Sequence, residues 1–133
     1  MPNYTSRVAA IVLAGLLLAA CSHGPPPPAS ASLATGNTSV GSVLVDSRGM
    51  TLYTYTEDKP GESHCGGMCA DYWPPALAAA GAKPSGDIGL VTLEDGRKQW
   101  AYKNMPLYTY VKDQAPGDAT GEGAESEWYV VKQ

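Results

Sequence analysis

Gly49-Met50-Thr51-Leu52-Tyr53-Thr54-Tyr55 returns fifty-five positions later as Asn104-Met105-Pro106-Leu107-Tyr108-Thr109-Tyr110, and Asp58 returns as Asp113. Trp73 and Trp128 keep that interval, whereas Pro60-Gly61 and Pro116-Gly117 are one residue further apart, a slip that loops absorb. Two copies of one supersecondary unit, neither able to bury its apolar face alone, have to pack against each other. A pseudo-twofold arrangement is therefore expected. On a strand, Tyr53 and Tyr55 share one face, as do Tyr108 and Tyr110, and Leu52 and Leu107 take the other.

The strand pattern is antiparallel in character. Residues 40–46 and 51–56 flank Ser47-Arg48-Gly49, a turn ending in a residue that tolerates positive φ. Residues 90–94 and 98–102 flank Asp95-Gly96, which predicts a type I′ hairpin. In the second copy, 98–102 and 107–111 flank Lys103-Asn104, and Asn is the non-glycine residue best suited to the left-handed region. Pro106 opens its strand, which argues for an edge or entry position. Residues 128–131 read as a closing strand, and Pro74-Pro75 predict a short helix over 76–82. The expected class is mostly β: one small antiparallel domain over 40–133, with repeats at about 40–85 and 86–133.

The N-terminus reads as an address. Arg7 is the one full side-chain charge in the first twenty residues, and residues 8–20 form an unbroken apolar run, the h-region of a signal peptide. A membrane span needs about 20 apolar residues, and this run stops at Cys21. Leu18-Ala19-Ala20-Cys21 resembles the lipobox of bacterial lipoproteins. That resemblance implies cleavage before Cys21 and acylation of its thiol, including palmitate. The alternative is ordinary cleavage after Ala20, which leaves Cys21 as a free thiol. At about 0.8 kcal/mol per buried CH2, two or three acyl chains hold a protein at a membrane where one does not. Ser22 resembles residues that permit sorting to the outer membrane of diderm bacteria. Residues 21–39 hold Pro25 to Pro28 and then small polar residues, with too little apolar surface to fold, so a disordered tether is expected.

Charge narrows the function. Nine Lys plus Arg against 13 Asp plus Glu give a formal net charge of −4, and loss of Arg7 with the leader makes the mature chain more acidic still. Such a field repels phosphates, which disfavours nucleic-acid partners. His23 and His64 are the two histidines. With one in the tether and one beside two cysteines, neither a Ser-His-Asp nor a Cys-His arrangement has a convincing base. No catalytic residue is assigned, and a non-enzymatic module is expected.

Cys65-Gly66-Gly67-Met68-Cys69 is the most reactive string in the folded part. Its glycines permit the tight turn that brings the thiols within bonding reach, and an exported protein meets an oxidising compartment, so a structural Cys65–Cys69 disulfide is expected. The C-x3-C spacing and the lack of a surrounding βαβ pattern weigh against a redox-active motif. The competing reading gathers His64 and Met68 with both cysteines, joined by Met50 or Met105, as soft ligands for Cu(I). It requires reduced thiolates outside the cytoplasm. The expected state has neither metal nor cofactor.

Tyr53, Tyr55, Asp58, Tyr108, Tyr110 and Asp113 admit two readings. In the structural one the rings pack across strands with their hydroxyls at the rim, and the aspartates accept loop N–H groups. In the functional one the rings form a stacking surface for a sugar or an aromatic ligand. Duplication favours structure, because a scaffold has to repeat and a single site does not. Tyr53-Thr54-Tyr55-Thr56-Glu57-Asp58 and Tyr108-Thr109-Tyr110-Val111-Lys112-Asp113 resemble the bacterial and archaeal secreted repeat of unknown function, with its Y-x-[FWY]-x-x-D motif. The likeness continues through Leu44-Val45-Asp46, Trp73-Pro74-Pro75, Asp95-Gly96, Pro116-Gly117-Asp118 and Trp128-Tyr129-Val130-Val131. It implies architecture and surface location rather than a reaction; the expected protein is a membrane-anchored envelope lipoprotein with an unidentified ligand or protein partner.

Overall fold

The computed structural model describes residues 28–133; the expected signal peptide, Cys21 and the first residues of the expected tether lie outside them. Seven short strands form three antiparallel sheets. In the first, β1 (Ala34–Thr38) pairs with β2 (Gly41–Val45); in the second, β3 (Tyr53–Tyr55) pairs with β7 (Trp128–Val130). In the third, β4 (Ile88–Thr92), β5 (Lys98–Tyr102) and β6 (Met105–Pro106) lie in that order. A five-residue helix, α1 (Met68–Tyr72), and a 3-10 turn at Ala124–Ser126 complete the elements of the described residues. Among the described residues no helix is long and apolar enough to cross a membrane.

The two repeats are built alike and then exchange their ends. In the first, β1–β2 leads to β3; in the second, β4–β5 leads to β6 and Tyr108. The closing segment of each then pairs with the other. β7 of the second repeat lies on β3 of the first, with Leu44 N–H donating to the Val131 carbonyl at 2.8 Å. Residues 72–76 of the first repeat lie along 107–111 of the second: Thr109 N–H reaches the Pro74 carbonyl at 3.0 Å, and Trp100 N–H reaches the Ala76 carbonyl at 2.8 Å. Tyr53 and Tyr108 meet near the centre, each donating its N–H to the other's carbonyl at 2.9 Å. This is the pseudo-twofold relation that the duplicated string predicts.

Strand alternation divides the interior into two clusters. Val43, Val45, Tyr53, Tyr108 and Val130 point to one side, where Trp73, Trp128 and Cys65 join them. Leu44, Leu52, Leu107 and Val131 point to the other, with Trp100 and Ala76. Because the central strands are covered on both faces, β2 reads as a continuous buried Val43-Leu44-Val45 run rather than an alternating one.

Four local expectations are corrected. The tether expected over 21–39 is overturned from Ser30 onward: Ser30 is buried and bridged to Ala78, and residues 34–38 are β1. Ala-Thr-Gly-Asn-Thr has little apolar content, but β2 supplies a complete ladder of partners. β1 is the counterpart of β4, so the duplication itself demanded it. The helix expected over 76–82 is instead extended chain through Ala78 followed by a turn, since Leu77 bridges Gln99, Ala78 N–H bonds the Lys98 carbonyl and Ala82 N–H bonds the Ala79 carbonyl. Unpaired sheet edge outweighs the helix propensity of alanine. The strand expected over 107–111 is mostly irregular, with β6 at Met105–Pro106 and a bridge at Tyr108. Finally, the type I′ geometry belongs to Lys103-Asn104, whose φ values are 47° and 67°, whereas at Asp95-Gly96 only glycine has positive φ.

Candidate functional site

The duplicated motif forms a crossed pair of hydrogen bonds at the centre of the aromatic side. Tyr53 donates its hydroxyl to Asp113 Oδ2 at 2.6 Å, and Tyr108 donates to Asp58 Oδ2 at 2.7 Å. The other oxygen of each carboxylate organises its own loop. Asp58 Oδ1 accepts His64 N–H at 2.6 Å, and Asp113 Oδ1 accepts Thr120 N–H at 2.9 Å. Each aspartate thus ties its own repeat's loop to the other repeat's tyrosine. Both tyrosines are fully buried and both aspartates nearly so; hydrogen bonds to a charged group are worth about 1.5–3 kcal/mol each. The tyrosine hydroxyls lie in the core, not at the rim, because the carboxylates have been brought inside to meet them.

Burial first, and the facing carboxylate second, push the Tyr53 phenol well above its ordinary value. Burial also raises Tyr108, although hydroxyl contact from Ser63 pulls the other way. Asp58 is likewise raised by desolvation, against the lowering influence of the His64 amide and the Tyr108 hydroxyl.

Four rings stack beside these bonds in the order Tyr55, Trp128, Trp73, Tyr110. Their centroids are separated by 4.3, 4.0 and 4.0 Å, with interplanar angles of 13°, 0° and 17°. Tyr53 meets Trp73 edge-on at 5.2 Å, and Tyr108 meets Trp128 edge-on at 5.1 Å. Both geometries suit the ring quadrupole. Rings alternate between the repeats along the stack, so it too spans the pseudo-twofold relation. Trp73 and Trp128 were legible as a repeated pair at the spacing of the motif; their stacking on the motif tyrosines was not.

The two loops depart from symmetry around this core. Cys65 and Cys69 form a disulfide with Cα atoms 5.2 Å apart, and Cys69 lies in the first turn of α1. In the second copy the place of Cys65 is taken by Gly121, where an added Cβ would lie 2.6 Å from a Trp73 ring carbon. Tyr53 receives Gly121 N–H at 3.2 Å, whereas Tyr108 faces the Ser63 hydroxyl at 2.7 Å. Ser63 gave no signal in the sequence, since a single serine in a polar loop has no pattern.

The first loop also borders an open groove of about 700 Å³ between residues 61–67 and the tip of the β4–β5 hairpin. Ser63, His64 and Cys65 line one wall; Glu94, Asp95 and Arg97 line the other. His64 Nε2 lies 3.4 Å from Glu62, and Arg97 pairs with Asp95 at 2.6 Å. Arg97 hydrogen bonding holds the Asp95 carboxyl below its ordinary range. His64 and Met68 are exposed, and Met50, between β2 and β3, and Met105, on β6, are half-buried and lie outside this loop. With Cys65 and Cys69 bonded to each other, neither offers a thiolate. Among the described residues no group of three or more His, Cys, Asp or Glu could hold a metal ion.

No curated protein and no solved structure matches the chain. A family described as a secreted repeat of unknown function matches it twice, over residues 34–77 and 89–132. Each match opens on an outer strand, β1 or β4, and closes on the segment that crosses to the other half. The sequence repeat and the structural repeat are therefore the same unit, and the chain belongs to the extracytoplasmic family of secreted repeats of unknown function.

Proposed function

We propose that the chain is a lipid-anchored, non-enzymatic envelope module, in which the crossed Tyr–Asp core is a rigid frame and the groove beside the disulfide loop receives a polar ligand or protein partner. The observation that carries this reading is the double commitment of Asp58 and Asp113. Each carboxylate is engaged by a tyrosine hydroxyl and a loop amide, so the motif is spent on holding two loops in place. The groove's exposed ion pairs supply polar recognition on a fixed wall. Anchoring follows from the lipobox-like Leu18-Ala19-Ala20-Cys21, and Ser22 supports outer-membrane placement in a diderm envelope. Cys21→Ala is expected to abolish palmitate labelling and move the protein from the membrane to the soluble fraction. Labelling that survives the substitution would overturn the anchor.

A second reading rests on Met68, whose side chain is 77% exposed beside His64 and the cysteines. A thioether so placed suits a soft cation, and reduction of the disulfide would add two thiolates. Titration of oxidised and reduced protein with Cu(I) decides it: tight binding by neither form removes copper handling.

A further inference from the structure

Ser30 fixes the point at which the fold begins. Its N–H donates to the Leu77 carbonyl and its carbonyl accepts from Ala79 N–H, both at 2.8 Å. The same carbonyl accepts the Trp100 indole N–H at 3.2 Å, and the Ser30 hydroxyl accepts from the Ser47 amide and hydroxyl at 3.3 and 3.0 Å. With Ser30 only 2% exposed, the chain that can act as a spacer shrinks to residues 22–29. Fully extended, such a segment reaches at most about 30 Å from Cys21 to Ser30. A folded part of this size has a radius of gyration of about 13 Å, so the reach is comparable to the width of the domain. A domain held so closely cannot present all of its sides to the bilayer equally.

Ser30 also lies on a defined side. Trp100, to which it bonds, belongs to the aliphatic cluster, and Leu33 and Ala78 pack on that cluster. Trp73, Trp128 and the tyrosine pair lie across the strand layer, with Cys69, Tyr110, Ala119 and Ala124 of the two loops packed against them. Charge does not pull the domain down, because an acidic protein is repelled by anionic lipid. Resting on the acylation of Cys21, we infer that the bilayer meets the aliphatic side, at residues 76–83, and that the aromatic side with both aspartate loops faces away from the lipid. The short tether sets this orientation.

The test uses the full acylated chain in phosphatidylcholine vesicles containing a headgroup quencher, with a fluorophore on Ala80→Cys or on Lys112→Cys. Both positions are exposed; the first follows Ala79 and the second lies beyond Tyr110. The label at position 80 is expected to lose its emission while that at position 112 keeps it. Equal loss, or the reverse order, in protein that carries palmitate overturns the orientation and leaves the anchor standing. Wild-type chain from a lipoprotein-processing bacterial host that carries no palmitate and stays off the vesicles sinks the anchor, and the orientation with it. A Gly/Ser insertion between Gly24 and Pro25 that trebles the tether is expected to bring the two labels to similar quenching; unchanged contrast would show that tether length is not the cause.

Discussion

Loops 58–73 and 113–128 perform one task with different means. Both begin with an aspartate bound to the opposite tyrosine and end with a tryptophan in the ring stack. Between those points the first is closed by the Cys65–Cys69 bond and α1. The second is closed by side chains on backbone: Asp118 Oδ2 accepts the Gln114 and Ala115 N–H groups, and Glu122 Oε2 accepts Val130 N–H at 2.6 Å. Glu125 and Ser126 take positive φ to complete the turn. What the fold requires twice is the Asp–Tyr–Trp constellation. The closure between is free to vary, and the groove borders the covalently closed copy.

If that comparison is right, paired substitutions in the shared part have matching effects. Trp73→Ala and Trp128→Ala are each expected to cost about 3–5 kcal/mol, as for large aromatic truncations in cores, with similar urea midpoints. Well-separated midpoints would break the equivalence of the halves. Closure devices, by contrast, differ in kind. Gly121→Ala places a methyl group against Trp73 and is expected to cost about 1–3 kcal/mol by overpacking, under reducing and oxidising conditions alike. Reduction of the disulfide removes a constraint on the unfolded chain worth roughly 2 kcal/mol for so short a loop, and has no counterpart in the second loop. Thermal melts of wild type and Cys65→Ser/Cys69→Ser, with and without reductant, check this: a reductant effect that persists in the double variant would locate it elsewhere.

The smallest effect expected is on pH dependence. Burial raises Asp58 above its ordinary 3.8, so the folded state holds that proton more tightly than the unfolded state does. This group's contribution to stability is therefore complete below the ordinary value and is lost as pH rises through the raised one. Urea midpoints across the acid range are expected to show a less negative slope for Asp58→Asn than for wild type. Parallel slopes would show that Asp58 titrates alike in both states.

Much of the centre was legible because it is repeated. The shared string implied two equivalent strands, its alternation put Tyr53 and Tyr108 opposite Leu52 and Leu107, and Cys65 and Cys69 were close enough to pair. The helix expected over 76–82 failed where local propensity met an open strand edge, and β1 was missed because its residues have little strand character. Ser63, Arg97 and the meeting of the two groove walls left no trace, since the walls lie on separate loops and come together only after folding.

Sequence alone determined the duplication and the two-sided pattern of the paired strands. Tertiary structure decided that each half lends its last segment to the other, that Asp58 seeks Tyr108 and Asp113 seeks Tyr53, and that backbone pairing reaches back to Ser30. The physical reason is range. Alternation and turn chemistry act between neighbours in the chain and leave a pattern there, whereas the partner of a buried carboxylate is set by which hydroxyl, fifty residues away, the packed strands deliver to it.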